Sequence, residues 1–548
     1  MRTHSILALI AIAGCADQAY DPDAPAIDPN APRVHITSPV RGTIAGDVTT
    51  ITVTGTATDD SGEVASVVVN DTPATVAADG TWTAQVKLAP GTNLIHAIAK
   101  DKQGNAGKES RAVVAGPMAT LARQVPDAVT ATLSAQTFDA IGRGAAGFIE
   151  SDNLMSVVQG MNPVVDVGGG PDCLYGQASI TSLTVGDADI VMAPQYGGVF
   201  LSGELTNVRV GMHLAYAVSC VDGSRDIVVS AQRVSVQGML KVGLIGRDFD
   251  IKLQNQNVQI TGFDVDLGGV PGQIVDMLSL DSAMGPVLGW ATERFVVPML
   301  NNALAGLNDT RTIDVLGTQV DIDVEPSQID FTPEGGKVLL NTTLRAKNDS
   351  GSFVYVDNTL PDMDMSHGFQ LAVADDAANQ LLTSVWSAKG FDKSIALDTG
   401  SYGEVGKLYD AVKLEVAVPP YVDATDGKLT LTVGDMVGSF ELAGSVVTQV
   451  AINAEVELKV VKGSDGALRF DVGTPTVYVD VLDDAIEGGN PLSNAEFEAI
   501  ASFALSRIVA VGSGAVGAIP LPSVGGVAIT TLSVEQQNGY LIVDGEVQ

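Results

Sequence analysis

The sequence predicts a mainly β chain with helices, an α+β protein in which one helix–strands–helix module occurs twice behind a small β-sandwich. Three observations predict it. Glycine is abundant (59 residues) and aromatics are only 5%, with Val, Ile and Thr alternating over much of the chain, the composition of a pleated, half-buried backbone. Long runs alternate with period two: Val208, Val210, Met212, Leu214, Tyr216 and Val218 share one face, and Val450, Ile452, Ala454, Val456, Leu458 and Val460 another. Finally, two apolar helical stretches, each entered from a strand, lie about 240 residues apart.

Residues 1–15, MRTHSILALIAIAGC, hold one basic residue, an apolar run and a terminal cysteine. The run is too short to span a bilayer and reads as a signal peptide. Residues 16–32, rich in Pro, Asp and Ala without periodicity, are expected to be an extended tether.

Residues 33–115 carry short alternating runs (Thr50–Thr58, Val64–Asn70, Trp82–Leu88, Leu94–Lys100) between turn signals such as Ala78-Asp79-Gly80. That spacing predicts a β-sandwich. A calcium site at Asp59/Asp60 or Asp101/Asn105 is weighed against solvated loop carboxylates, which are favoured.

The first helical stretch follows Val129. Ser134 is its expected N-cap, and Phe138, Ile141, Ala145, Phe148 and Ile149 recur at helical spacing. The opposite side has thin charge (Asp139, Arg143, Glu150) among Ala and Gly. The expectation is therefore a helix dry nearly all round, with something apolar other than solvent over its second side. Strands are predicted at Ser179–Val191, Val199–Val218, Asp226–Leu244 and Ile251–Leu267, then helix at Pro271–Leu307. Thr312–Ala346 has strand character and could pair the halves through a shared sheet. The second module repeats the order: strand, Asp cap and helix over Gln370–Lys389, with Leu381, Leu382, Val385 and Trp386 as its apolar set. Strands follow at Val412–Val418, Lys428–Val433, Val447–Val461, Ala467–Val472 and Thr476–Leu482, then helix Asn494–Gly517 and two closing strands. Ala499–Ile519 carries a single charge, Arg507, but three glycines and a Pro-Leu-Pro stop weigh against a membrane span.

The net charge of −35 excludes nucleic acid as a partner, because that binding rests on Lys and Arg neutralising phosphate. Basic docking on anionic lipid is disfavoured likewise. Cys173 and Cys220 form an even pair suited to a disulfide in an oxidising compartment. Gly142–Gly147 and Gly512–Gly517 both satisfy G-x-G-x-x-G, yet both lie inside apolar helical stretches rather than at a strand-to-helix turn. His213 and His367 have no nucleophile or metal-ligand pattern beside them, and Asp264/Asp266, Asp321/Asp323 and Asp362/Asp364 read as solvated positions. No cofactor, metal or enzymatic activity is expected.

Three resemblances add to this. Ile12-Ala13-Gly14-Cys15 resembles the lipobox of bacterial lipoproteins, which implies diacylation of Cys15 and anchoring to the outer membrane. Residues 33–115 resemble bacterial immunoglobulin-like repeats, which act as spacers. Ala518-Ile519-Pro520-Leu521-Pro522, then Gly526–Ile529, then Asn538–Val543 resemble the end of the bactericidal/permeability-increasing protein family, which includes lipopolysaccharide-binding and cholesteryl ester transfer proteins. Gly368–Ile395 and Ala128–Ile149 look like the starts of that family's two barrels. The match covers 116–548, about four-fifths of the chain, through the succession of elements rather than one sharp motif.

That resemblance implies a boomerang: two elongated antiparallel barrels (116–311 and 367–548), each on a long apolar helix, joined by a central sheet and linker (312–366). It implies phospholipid or another acyl lipid as the partner, held in apolar pockets, and a disulfide in the first barrel, a role that Cys173 and Cys220 could fill. The residues expected to line the first pocket are Leu133, Phe138, Ile141, Phe148 and Ile149. For the second they are Phe369, Leu371, Leu381, Leu382 and Val385. Packing on the sheet is an equal claim on each of them. The acidic charge departs from the basic tip of the antibacterial members. The leading expectation is a lipid-binding, lipid-transferring lipoprotein; the alternative is a cell-surface structural or adhesive lipoprotein without cargo.

Overall fold

The structure is a computed structural model. It describes residues 31–60, 64–150, 155, 162–168, 174–266, 269–270, 274, 307–347, 349–366, 368–402, 405–425, 427–462, 468–485, 496–497, 501, 505, 509 and 529–547. The signal, the lipobox and the expected tether up to Asn30 lie outside these, as do Cys173, His367, nearly all of Pro271–Leu307 and the family-like turn at Pro520–Pro522.

The N-terminal sandwich packs a four-stranded sheet (Arg33–Ser38, Thr50–Thr58, Thr81–Lys87, Thr75–Val76) on a five-stranded one that includes Gly91–Asp101 and Ala106–Ala115. Its alternating sequence puts Val53, Val69, Trp82, Ile95 and Val113 inside. The Asp101 loop is closed on itself: Oδ1 accepts the Gly104 and Asn105 N–H groups and Oδ2 the Asn105 side chain.

A seven-stranded sheet forms the hub of the rest. Val125–Ser134 and Phe369–Ala374, the strands that enter the two helices, lie side by side in its middle, antiparallel. Each is flanked by a hairpin of its own module. Thr318–Thr332 with Gly335–Ala346 borders the first, and Ile529–Gln537 with Tyr540–Val547 borders the second. Helix α1 (Ala135–Glu150) and helix α2 (Asp375–Ser387) begin 240 residues apart, 375 against 135. Ala131 pairs with Leu371, two positions separated by the same interval. The modules therefore meet on equivalent residues, as a two-fold relation between duplicated halves requires.

Each module then sends out a sheet of long strands. In the first, Gly198–Val218 and Val221–Ile245 pair along their length, 21 and 25 residues, with a contour on the order of 70 Å. In the second, Leu429–Leu442 pairs with Ser445–Lys462. Both long pairs carry an extra short strand on each member: Asp187–Gln195 and Asp264–Asp266 in one, Tyr421–Asp423 and Thr476–Asp484 in the other. Of the helix expected at Asn494–Gly517, Glu496, Phe497, Ala501, Leu505 and Val509 are described; all are helical, and the last four are buried and packed into the second module's core at a spacing of four.

Two expected strands differ. Ser179–Val191 is interrupted: Tyr175–Thr184 and Asp187–Gln195 pair one after the other with the strand Gly198–Val218, with a break at Val185-Gly186. Lys428–Val433 continues to Leu442, because Gly434-Asp435 forms a bulge instead of a turn. That bulge meets the sandwich. Arg41 Nη1 donates to Asp435 Oδ1 at 2.6 Å and the Gly42 N–H to Oδ2 at 3.2 Å. Nearby, the Ser110 N–H donates to Asp480 Oδ2 at 2.9 Å, and Arg111 pairs with Glu109 at 2.8 Å. The His96 ring lies 3.8 Å from that of Tyr478. Ala112 and Val114 bury an apolar patch against Val354 and Val418. The sandwich is thus seated on the second module rather than held off it.

Candidate functional site: an apolar cavity under the second helix

Helix α2 lies on the hub sheet with two unlike sides. One side bonds backbone. Asn379 donates to the Val422 carbonyl and accepts from its N–H, both at 2.8 Å, mimicking a strand neighbour. Gln380 accepts the Leu344 N–H and donates to the Leu121 and Arg123 carbonyls, and Ser384 Oγ accepts the Ala346 N–H. These side chains satisfy strand edges that would otherwise be orphaned in the interior. The other side is Ala377, Ala378, Leu381 and Leu382, and beneath it the chain leaves a hollow.

The hub floors this cavity with Val129, Ile322, Val324, Leu340, Leu344 and Val373. Val422, Leu429, Leu431, Leu458 and Phe470 wall it from the second module's sheet, with Val509 from the C-terminal helix. Atom-free space there is about 1200 Å³ counting the open mouth, of which about 100 Å³ can hold the centre of a water-sized sphere. It is a narrow, greasy slot.

Among the described residues that line it, two are polar, Thr342 and Asp375. Asp375 is not the N-cap expected of it: Ala374 occupies that position without a side-chain cap bond. Its carboxylate accepts the Ala424 N–H at 3.0 Å and the Asn358 amide at 3.1 Å. Burial pushes Asp375 up to about 8, with Asp376 and Asp423 adding to the rise and the Ala424 bond opposing it. Asp376, bonded by the Val356 N–H, is raised to about 7, again chiefly by burial.

Of the residues expected around the second pocket, Leu381 and Leu382 line this cavity. Phe369 and Leu371 are buried in the hub cluster with Leu340 and Val543, and Val385 is buried in the second module's core. In the first module, Phe138 and Ile141 pack with Met192, Leu201, Leu240 and Ile251, and Leu133 sits at the edge of that cluster. Ile149 is half-buried. The Phe148 side chain lies outside the described residues.

The expectation of a helix without a wet side is corrected for α1, whereas α2 is buried nearly all round, though by protein on both sides. Gln136, Asp139, Arg143, Gly147 and Glu150 of α1 are exposed, a stripe at spacings of three and four that faces solvent. The second side of α2 meets strand edges rather than hydrocarbon. The expected cap at Ser134 is present, its Oγ accepting the Thr137 N–H at 3.2 Å. Gly142 comes so close to the strand Asp187–Gln195 that a Cβ would stand 2.4 Å from the Ile190 carbonyl oxygen. Close packing accounts for it.

The central-sheet residues Ile313, Ile322, Val324, Leu340 and Leu344 were not expected at a pocket, although their alternation with Asp and Thr marks a dry face. Among the described residues, no group of three or more His, Cys, Asp or Glu could hold a metal, and no helix is long and apolar enough to cross a membrane. His213 is exposed and pairs with Asp226 at 2.8 Å. Cys220 is disulfide-bonded.

A family model for domain B of glucodextranase matches residues 32–116, the sandwich. No curated protein matches. Among solved structures, lipopolysaccharide binding protein is similar at 16% identity and a TM-score of 0.35, over 77% of this chain and 99% of that one. P47 from Clostridium botulinum A2 follows at 10% identity and TM-score 0.24, over 76% and 96%. Likenesses of this size leave the functional reading to the cavity.

Proposed function

We propose that this protein binds acyl lipid in the cavity under α2 and passes it between membranes. The cavity carries the reading: a slot whose described walls are almost all Leu, Val, Ile and Ala, in a body built to bury such residues. Each CH₂ moved there from water contributes about 0.8 kcal/mol, so a long acyl chain is held by shape and dryness with few polar contacts. A net charge of −35 disfavours gripping an anionic headgroup by a basic surface. The barrels-and-boomerang architecture, the Cys173–Cys220 disulfide and a diacyl anchor on Cys15 at the outer membrane, periplasmic or surface-facing, belong to the same proposal. No enzymatic step and no cofactor is part of it.

A cell-surface structural or adhesive lipoprotein without cargo is the competing reading, and the close packing of Phe138 and Ile141 under α1 favours it for the first module. Uptake of a fluorescent acyl lipid from donor vesicles separates the two. Saturable uptake and its delivery to acceptor vesicles are expected. No uptake at all contradicts lipid carriage and leaves the structural role.

A further inference from the structure

The strand Tyr421–Asp423 has two faces with different neighbours. Side chains alternate across a strand. Val422, with Ala424 just beyond, lines the hollow under α2, whereas Tyr421 packs on the apolar patch where the sandwich meets the second module. At this place the wall of the cavity is one strand thick, and the sandwich lies behind it.

That wall is short. It pairs over three residues with Thr430–Thr432. Val422 is bonded through both backbone groups to the Asn379 side chain of α2, and the flanking Ala424 donates its N–H to Asp375 and accepts the Gly539 N–H. A segment with so few bonds belongs to the part of a structure that opens at low cost. The sandwich supplies its backing. Thr92 Oγ1 donates to the Pro419 carbonyl at 3.1 Å, two residues before Tyr421. Gly91 lies against the Tyr421 ring, where a methyl group would collide with it, and Gly434 leaves the room that the Ala112 methyl takes. Each surface thus offers a glycine to a side chain of the other.

The rest of the seat is polar: Arg41 reaches Asp435 and Asp480 from the sandwich, the kind of contact across which domains part. The chain leaves the sandwich directly after Ala115 through Gly116, at φ +120°. A glycine at that point can absorb the rotation of one body against the other.

Resting on the lipid-binding reading, we propose that the sandwich is a clamp on the cavity. Seated, it holds the strand Tyr421–Asp423 shut against α2; swinging away about Gly116, it frees that strand so that an acyl chain can enter or leave. The sandwich is then part of the loading machinery rather than a spacer.

A reversible cross-link in the full chain tests this. A Cβ at Gly42 would stand 3.7 Å from that of Ala417, a separation that a disulfide spans, so Gly42→Cys with Ala417→Cys ties the sandwich to the second module. Uptake of a fluorescent acyl probe from vesicles should be about tenfold slower in the oxidised than in the reduced form, a change of about 1.4 kcal/mol in the cost of opening. The wild type under the same two conditions is the control. Arg41→Ala, which loosens the seat without a cross-link, should load faster than the wild type, and it carries the test alone if the bridge does not form at Gly42. Hydrogen exchange at the Val422 and Ala424 amides reads the strand without any lipid: slower when tied, faster in Arg41→Ala. Uptake at one rate in all these forms, or slower uptake in Arg41→Ala, would overturn the clamp and leave lipid binding standing. If the probe enters none of them, the lipid-binding reading falls and the loading role with it, while exchange at Val422 still decides whether the sandwich holds the strand.

Discussion

At Asp375 the chain buries a carboxylate at the first turn of a helix, a place where negative charge is normally welcome, and burial still wins. Its affinity for a proton is raised to about 8 in the folded protein against an ordinary 3.8. Asp376 and Asp480 are raised to about 7, also mainly by burial, although Arg41 pulls Asp480 the other way. A group raised on folding contributes stability that is complete below its unfolded value and is lost as pH climbs through its folded value. Thermal unfolding should therefore occur at a lower temperature at pH 9 than at pH 5. Asp375→Asn should flatten part of that dependence, the remainder belonging to Asp376 and Asp480. A midpoint that rises over this range, or an unchanged slope in the variant, would show that Asp375 is not held neutral. None of this was legible in the sequence, where Asp375 reads as a helix cap. Its partners Asn358 and Ala424 come from a linker and from a loop 49 residues on.

At the scale of elements, the sequence marks what depends on neighbours along the chain. The Ser134 cap, the strand through Val450–Val460 and the helix through Phe497, Ala501, Leu505 and Val509 are all local patterns, and all are present, although Ala451 and Asn453 of that strand are buried rather than wet. What it conceals depends on remote partners. The strand looks as if it stops at Val433 until Arg41, nearly 400 residues away, is seen to hold Asp435 in a bulge that carries it on. Asn379, Gln380 and Ser384 look like an indifferent helix face until the backbone of Val422, Leu344 and Ala346 arrives to be satisfied. Gly142 is similar, since its role comes from Ile190. Gly→Ala inside a helix ordinarily stabilises by about 1 kcal/mol. At Gly142 the added methyl meets backbone that cannot step aside. Gly142→Ala should instead lower stability, by roughly 1–3 kcal/mol, measured by denaturant unfolding. A stabilised variant would mean that α1 lies farther from its sheet.

Across the whole molecule, two duplicated modules share one sheet, and the sandwich is locked onto the second of them. Arg41 and Arg111 face Glu109, Asp435 and Asp480 in a buried cluster. Taking one member from such a cluster leaves uncompensated charge, at a cost of about 3–5 kcal/mol. Arg41→Ala should thus release the sandwich, seen as faster hydrogen exchange at Ser110 and Gly42 and as a separate, earlier unfolding step. A single unchanged transition would argue that the apolar patch around Val114 and Val418 suffices.

The hollow under α2 is the claim on which function turns. Ala378 lines it from the helix, so Ala378→Trp puts a ring into the slot without touching the bonds of Asn379 or Gln380. The decisive measurement is the acyl lipid extracted per molecule after detergent-free purification of the wild type and of Ala378→Trp, both folded by thermal unfolding. The expected result is bound acyl lipid in the wild type and its loss from the variant. Equal lipid in both, or none in the wild type even after incubation with vesicles, would contradict the account.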